Sequence, residues 1–339
     1  MNETDRLQTT DKNGEVRSRR FAPAFSFALT AAMLGCIQYF LPRPLLLVER
    51  YFSGFGWVQV FVMALYAAWL TGKFMSPAIA AKWRGRIWML FSLVFFSQLL
   101  LGLAGLEKML MTGKLHLPVP ALIIAAPLYR GGDFFMLILF FVTVLLVGPA
   151  WCSHLCYVGA WDNWFSRTRQ RPGRLPAYAA RVRLGVFLGV VALAVVLRYL
   201  QLGWLPAVMC GAIFGLVGVA VMVFISRRNG VMTHCSSFCP LGLSGNWLGR
   251  LSLFKIRIGE GCVECQACQR ACRYNALNLE DIRLRRPGST CTLCGDCLSA
   301  CHSGQIFYYL PGFSPQLARS IFIALVISLH AIFLAVARI

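Results

Sequence analysis

Long apolar stretches with few charges recur along the chain at about 21–41, 57–72, 87–106, 134–151, 184–200, 205–225 and 317–337. An α-helix needs roughly 20 apolar residues to cross about 30 Å of hydrocarbon, so the pattern predicts an all-α membrane protein with about seven transmembrane helices. The 57–72 stretch is the shortest, with Trp57 and Trp69 at its ends as candidate interfacial anchors. Polar segments divide the rest. Residues 1–20 are expected to form a disordered cytoplasmic N-terminus, 21–250 a transmembrane core, 251–312 a small α+β cytoplasmic domain, and 313–339 a last transmembrane helix.

Composition agrees, with 58% hydrophobic and 14% charged residues, outside the range of soluble globular chains. A net charge of +20 would suggest nucleic acid in a soluble protein, but here the membrane accounts for it, and no nucleic-acid partner is expected. If the N-terminus is cytoplasmic, 26 of the 33 Lys and Arg residues fall on that side. This positive-inside bias puts 251–312 in the cytoplasm and the C-terminus in the periplasm. Arg19-Arg20 before an apolar run reads as the inner flank of a first helix rather than as a twin-arginine export signal, because no small-residue cleavage site follows.

The chemistry is in the cysteines. Cys262, Cys265, Cys268 and Cys272, and again Cys291, Cys294, Cys297 and Cys301, repeat the spacing of a protein with two [4Fe–4S] clusters. Three thiolates on one tight loop can cap three irons of a cubane. The fourth is expected to have turned away onto the start of a helix and to serve the other cluster. The crossed pattern assigns Cys262, Cys265, Cys268 and Cys301 to one cluster and Cys291, Cys294, Cys297 and Cys272 to the other. Structural zinc is the alternative, although it usually uses paired C-x2-C knuckles. Arg273 and His302 stand where a proline often follows the fourth cysteine.

Two further pairs, Cys152/Cys156 and Cys235/Cys239, belong to an internal repeat. Residues 152–167 and 235–250 share Cys-Ser-x2-Cys-x2-Gly-x3-Asn-Trp-x2-Arg, and each copy follows a helical pair, which suggests tandem two-helix units of parallel topology. Spacing i, i+4 is expected to put both cysteines of a pair on one helical face, so that the four thiols converge. They could form a third metal centre or redox-active thiols, or be small residues where helices pack. His154 and His234 sit beside these cysteines; His330 is a candidate haem or quinone contact within the last span; Cys36 and Cys210 read as core residues. The apolar outer segment 107–133 is expected to lie in the interface or re-enter the membrane, with Glu107, His116, Arg130 and Asp133 as candidate quinol contacts.

The Cys-x3-Cys repeat followed by the two-cluster run resembles the membrane-bound polyferredoxins of the NapH type, with NosR-like and MauN-like relatives, over roughly 87–310. That group's Cys-x3-Cys-Pro motif stands as Cys235–Pro240, while Tyr157 replaces the proline in the first copy. The resemblance implies an electron-transfer subunit in the bacterial cytoplasmic membrane. It would pass electrons between quinol or quinone, as exchangeable substrate, and a redox partner protein such as a ferredoxin-type subunit or respiratory reductase. The chain has cluster ligands but no recognisable substrate pocket, so it is expected to work within a quinol-linked oxidoreductase complex. The alternative is an accessory protein for maturation of a copper or respiratory metalloenzyme, or a redox sensor.

Overall fold

The computed structural model describes residues 12–41, 45–106 and 117–336. In chain order its elements are α1 (Lys12–Phe40), α2 (Leu47–Tyr51), α3 (Gly56–Phe74), α4 (Pro77–Leu103), α5 (Leu122–Arg130), α6 (Phe135–Val147), α7 (Tyr157–Ser166), α8 (Ala179–Tyr199), α9 (Trp204–Ala220), α10 (Arg227–Asn229), α11 (Pro240–Leu248), β1 (Lys255–Ile258), α12 (Ala267–Ala271), α13 (Leu279–Arg283), α14 (Asp296–Ala300), β2 (Ile306–Tyr309) and α15 (Pro315–Val336). Six helical stretches among the described residues are long and apolar enough to cross a membrane: Arg20–Phe40, Pro77–Leu103, Phe135–Leu155, Ala179–Tyr199, Trp204–Asn229 and Pro315–Val336. The expected seventh, 57–72, is the 19-residue helix α3, which is not among these six. Its polar residues have packing roles. Gln59 is buried, donating to the Ala335 carbonyl at 2.9 Å and accepting from the Val48 N–H at 2.9 Å.

Two units can be distinguished, one comprising residues 1–116, 254–259 and 307–339, the other 117–253 and 260–306. In the first, α1, α3 and α15 pack on one another. Leu34, Leu46, Val60 and Ala335 form a buried cluster among them. Small residues let the backbones approach, and the Ser26 and Ser328 hydroxyls meet at 3.2 Å inside the bundle. Arg319 donates to the carbonyls of Phe74 and Met75 at 2.7 and 2.9 Å, satisfying acceptors that the end of α3 leaves open. The strands β1 and β2 pair in a two-stranded sheet, and Phe322 of α15 stacks on Tyr308 and meets Phe254 edge-on. Helix α1 starts at Lys12, inside the segment read as disordered; extending an existing helix adds a hydrogen bond per residue without a new nucleus. Residues 1–11 lie outside the described residues.

In the second unit the apolar segment from Leu117 dips against α9. A Cβ on Gly215 would meet Val119 at 2.7 Å, so the missing side chain is what admits the segment so close. Val119, Pro120 and Ala121 are buried, and α5 packs on α8, while residues 107–116 of the expected interfacial or re-entrant segment lie outside the described residues.

Candidate metal centres

Both copies of the repeat fold alike. A π-helical turn, Trp151–Leu155 or His234–Phe238, carries the first cysteine, and the second, Cys156 or Cys239, is extended and opens the next helix, α7 or α11. The shared helical face expected from i, i+4 spacing is therefore absent; the chain breaks between the two cysteines. The break has a chemical use. The Cys156 and Cys239 thiols stand at the N-caps of α7 and α11, where the open N–H groups of a first helical turn favour a thiolate.

The convergence itself is present. Cys152, Cys156, Cys235 and Cys239 line one small cavity with His234, Gly159, Gly242 and Pro120, the last from the segment ahead of α5. Gly242 is needed for clearance: a Cβ there would come within 2.9 Å of the Cys235 carbonyl and 2.8 Å of the Arg183 guanidinium. Burial, with Cys239 nearby, pushes the Cys156 thiol up to about 12, and burial raises Cys235 well above an ordinary thiol. Thiols so placed stay protonated at neutral pH unless a metal takes the proton's place. The donor set fits such a group. His234 is buried and its Nδ1 has no partner among the described residues, while Asp162 accepts the Cys235 N–H at 3.0 Å. Arg183 reaches in from α8 to the Cys235 carbonyl at 3.1 Å and sets a positive charge beside the thiols. Its only sequence signal was an arginine at the foot of an apolar span.

The two cysteine runs also mirror each other. Glu264 and Gln266 in the first and Leu293 and Gly295 in the second have positive φ (53°, 58°, 54° and 78°). These left-handed residues turn successive amides toward a common centre, a conformation that favours an anionic guest. Cys268 and Cys297 lie in the short helices α12 and α14, and Cys272 and Cys301 are extended at their ends, not at a helix start as expected. The fourth cysteine of each run lies near a cysteine of the other run. Burial, then the charges of Cys301 and Cys262, raise the Cys268 thiol to about 11, offset in part by the Gln269 N–H. Cys297 is raised by burial and then by Cys294, Cys291 and Cys272, and Cys272, raised to about 12, has Cys294 beside it. Among the described residues no three or more Cys, His, Asp or Glu side chains crowd as closely as one metal ion requires.

The repeat and the second run are directly joined. Ser153 donates to the Thr292 carbonyl at 2.9 Å, Asn246 to the Ser289 carbonyl at 2.6 Å, and Arg167 pairs with Asp296 at 2.7 Å. Tyr274 donates to the Cys152 carbonyl at 3.3 Å. The buried Arg273 guanidinium donates to the carbonyls of Ser166, Arg169, Gln170 and Gly230 at 2.8–3.1 Å. The expected quinol contacts fare differently. Arg130 and Asp133 form an exposed ion pair at 3.3 Å, while Glu107 and His116 lie outside the described residues. His154 is buried with Nδ1 2.9 Å from the Ser153 hydroxyl, and His330 is buried with Nε2 3.2 Å from the Tyr66 hydroxyl.

Comparison with known proteins agrees with this geometry. The family described as 4Fe-4S binding domain matches residues 132–175 and 211–259, each match containing one Cys-x3-Cys pair. With the membrane-capable helices, this defines a ferredoxin-type iron–sulfur protein of membrane electron transport. More particularly, the chain fits a membrane polyferredoxin. It is 28% identical over 244 residues to the methylamine utilization ferredoxin-type protein MauN of Paracoccus denitrificans, covering 66% of this chain and 78% of the relative. An uncharacterized protein of Methanocaldococcus jannaschii is 27% identical over 177 residues, 49% of this chain and 67% of the relative. No solved structure matches.

Proposed function

We propose that the protein passes electrons between the membrane quinone pool and a redox partner protein, as the electron-transfer subunit of a quinol-linked complex. In this reading Cys262, Cys265, Cys268 and Cys301 hold one [4Fe–4S] cluster, and Cys272, Cys291, Cys294 and Cys297 a second. Cys152, Cys156, Cys235 and Cys239 hold a third iron–sulfur centre at the membrane surface. The observation that carries it is that four cysteines from two repeat copies line one cavity, on the two segments that match a 4Fe-4S binding family. Quinol gives up two electrons and two protons, whereas a cluster takes one electron at a time, so a chain of centres can divide the pair. The charge bias supports seven spans in a bacterial cytoplasmic membrane, with the clusters cytoplasmic and the C-terminus periplasmic.

Changing each of Cys152, Cys156, Cys235 and Cys239 to Ser in separate, anaerobically purified variants tests this. Iron is expected to fall from about twelve to about eight per chain, with membrane accumulation near normal, and reduction of the remaining clusters by a quinol analogue is expected to collapse. Wild-type iron and reduction rates in all four variants would make the cysteines packing residues. Tight copper in place of the missing iron would favour a maturation role.

A further inference from the structure

We infer that the two cysteine runs work in a fixed order: the Cys272/Cys291/Cys294/Cys297 set is the inner relay next to the membrane-side quartet, and the Cys262/Cys265/Cys268/Cys301 set is the outer one that meets the partner protein. This rests on the electron-transfer reading above and adds the direction in which the molecule is wired.

The anchoring bonds carry the argument. Ser153, beside Cys152 of the quartet, donates to the carbonyl of Thr292, beside Cys291, at 2.9 Å. Tyr274, two residues after Cys272, donates to the Cys152 carbonyl at 3.3 Å. Its neighbour Arg273 ties Cys272 to the chain after α7 and to Gly230 ahead of the second repeat copy. Asn246 and Arg167, repeat residues both, hold Ser289 and Asp296, which bracket the Cys291–Cys294 loop. These contacts all land on residues flanking the ligands of the inner set. Tunnelling falls off exponentially with distance, so a centre joined to the quartet through one hydrogen bond is the faster acceptor. The outer set is exposed instead. Cys265 is solvent-exposed and Val263 is 72% exposed, whereas no cysteine of the inner set is exposed. The ion pair of Glu264 with Arg283 at 3.2 Å lies on this open side.

The test uses intact protein in lipid nanodiscs, with Cys265→Ala and Cys294→Ala to assign each cluster's EPR signal, and the carboxylate-ligated variants Cys265→Asp and Cys294→Asp should alanine cost both clusters. With the wild type reduced by dithionite, a soluble dysprosium chelate is expected to speed relaxation of the outer signal several-fold more than the inner one. Equal or opposite enhancement overturns the order without touching the quinone reading. With menadiol as reductant, the outer variant is expected to reduce its inner cluster at the wild-type rate but to deliver electrons to an added soluble high-potential iron–sulfur protein at least tenfold more slowly. Loss of inner-cluster reduction in that variant overturns the order. A wild type that menadiol cannot reduce at all, with dysprosium separating the signals as expected, defeats the quinone reading and leaves the outer-to-inner arrangement standing.

Discussion

The two units of this chain are stabilised by different means. In the first, α1, α3 and α15 meet through aliphatic and small side chains, with local polar contacts such as Ser26 with Ser328 and the Arg319 cap on the end of α3. In the second, buried thiols share a cavity, Arg183 and Arg273 are buried, and Leu293 is held at a φ of 54°. Such features cost stability unless something compensates them. The first unit is complete as a packing of apolar helices; the second has the form of a mould, whose strained loops and buried thiols make sense around bound iron and sulfide.

The sharpest break between the units is therefore expected on removing iron. Anaerobic chelation should raise protease cleavage within 260–306 by about tenfold or more, while α1, α3 and α15 keep their protection. Equal loss in both units would show that the first also depends on the clusters. A smaller effect is expected for Arg273→Ala, which leaves the carbonyls of Ser166, Arg169, Gln170 and Gly230 without this donor. About 3 kcal/mol of local stability should go, read by hydrogen exchange around Cys272, with Arg273→Lys recovering part of it. An unchanged exchange pattern would mean that other contacts hold the loop. The smallest effect belongs to the first unit. Ser328→Ala removes one interhelical hydroxyl contact and is expected to cost about 0.6 kcal/mol in thermal stability, with iron content unchanged. A cost several times larger would show that this bundle, too, depends on polar connections.

Much of the site was legible in the letters because metal ligation constrains spacing. The eight cysteines of the two runs are plain in the spacing, and the convergence of Cys152, Cys156, Cys235 and Cys239 on one cavity could be anticipated from intervals along the chain. The backbone carrying the repeat cysteines could not: the π turns, and the extended Cys156 and Cys239, answer to hydrogen bonds made within the fold. Shortness alone made 57–72 the weakest span in the letters, and the partners of Gln59 and Tyr66 within it, Ala335 and His330, lie far along the chain.

The sequence by itself determined which segments are apolar enough for a membrane, which polar segments gather positive charge, and which thiols are spaced for iron, because each of these depends on local composition or short intervals. Tertiary structure alone decided that Arg183 and Arg273 are buried partners of the cysteine loops, that Pro120 reaches the quartet's cavity, and that Ser153 joins Cys152 to the loop of Cys291. These are contacts between residues tens to more than a hundred positions apart, and a buried guanidinium or hydroxyl finds its acceptor only after the backbone has folded around it.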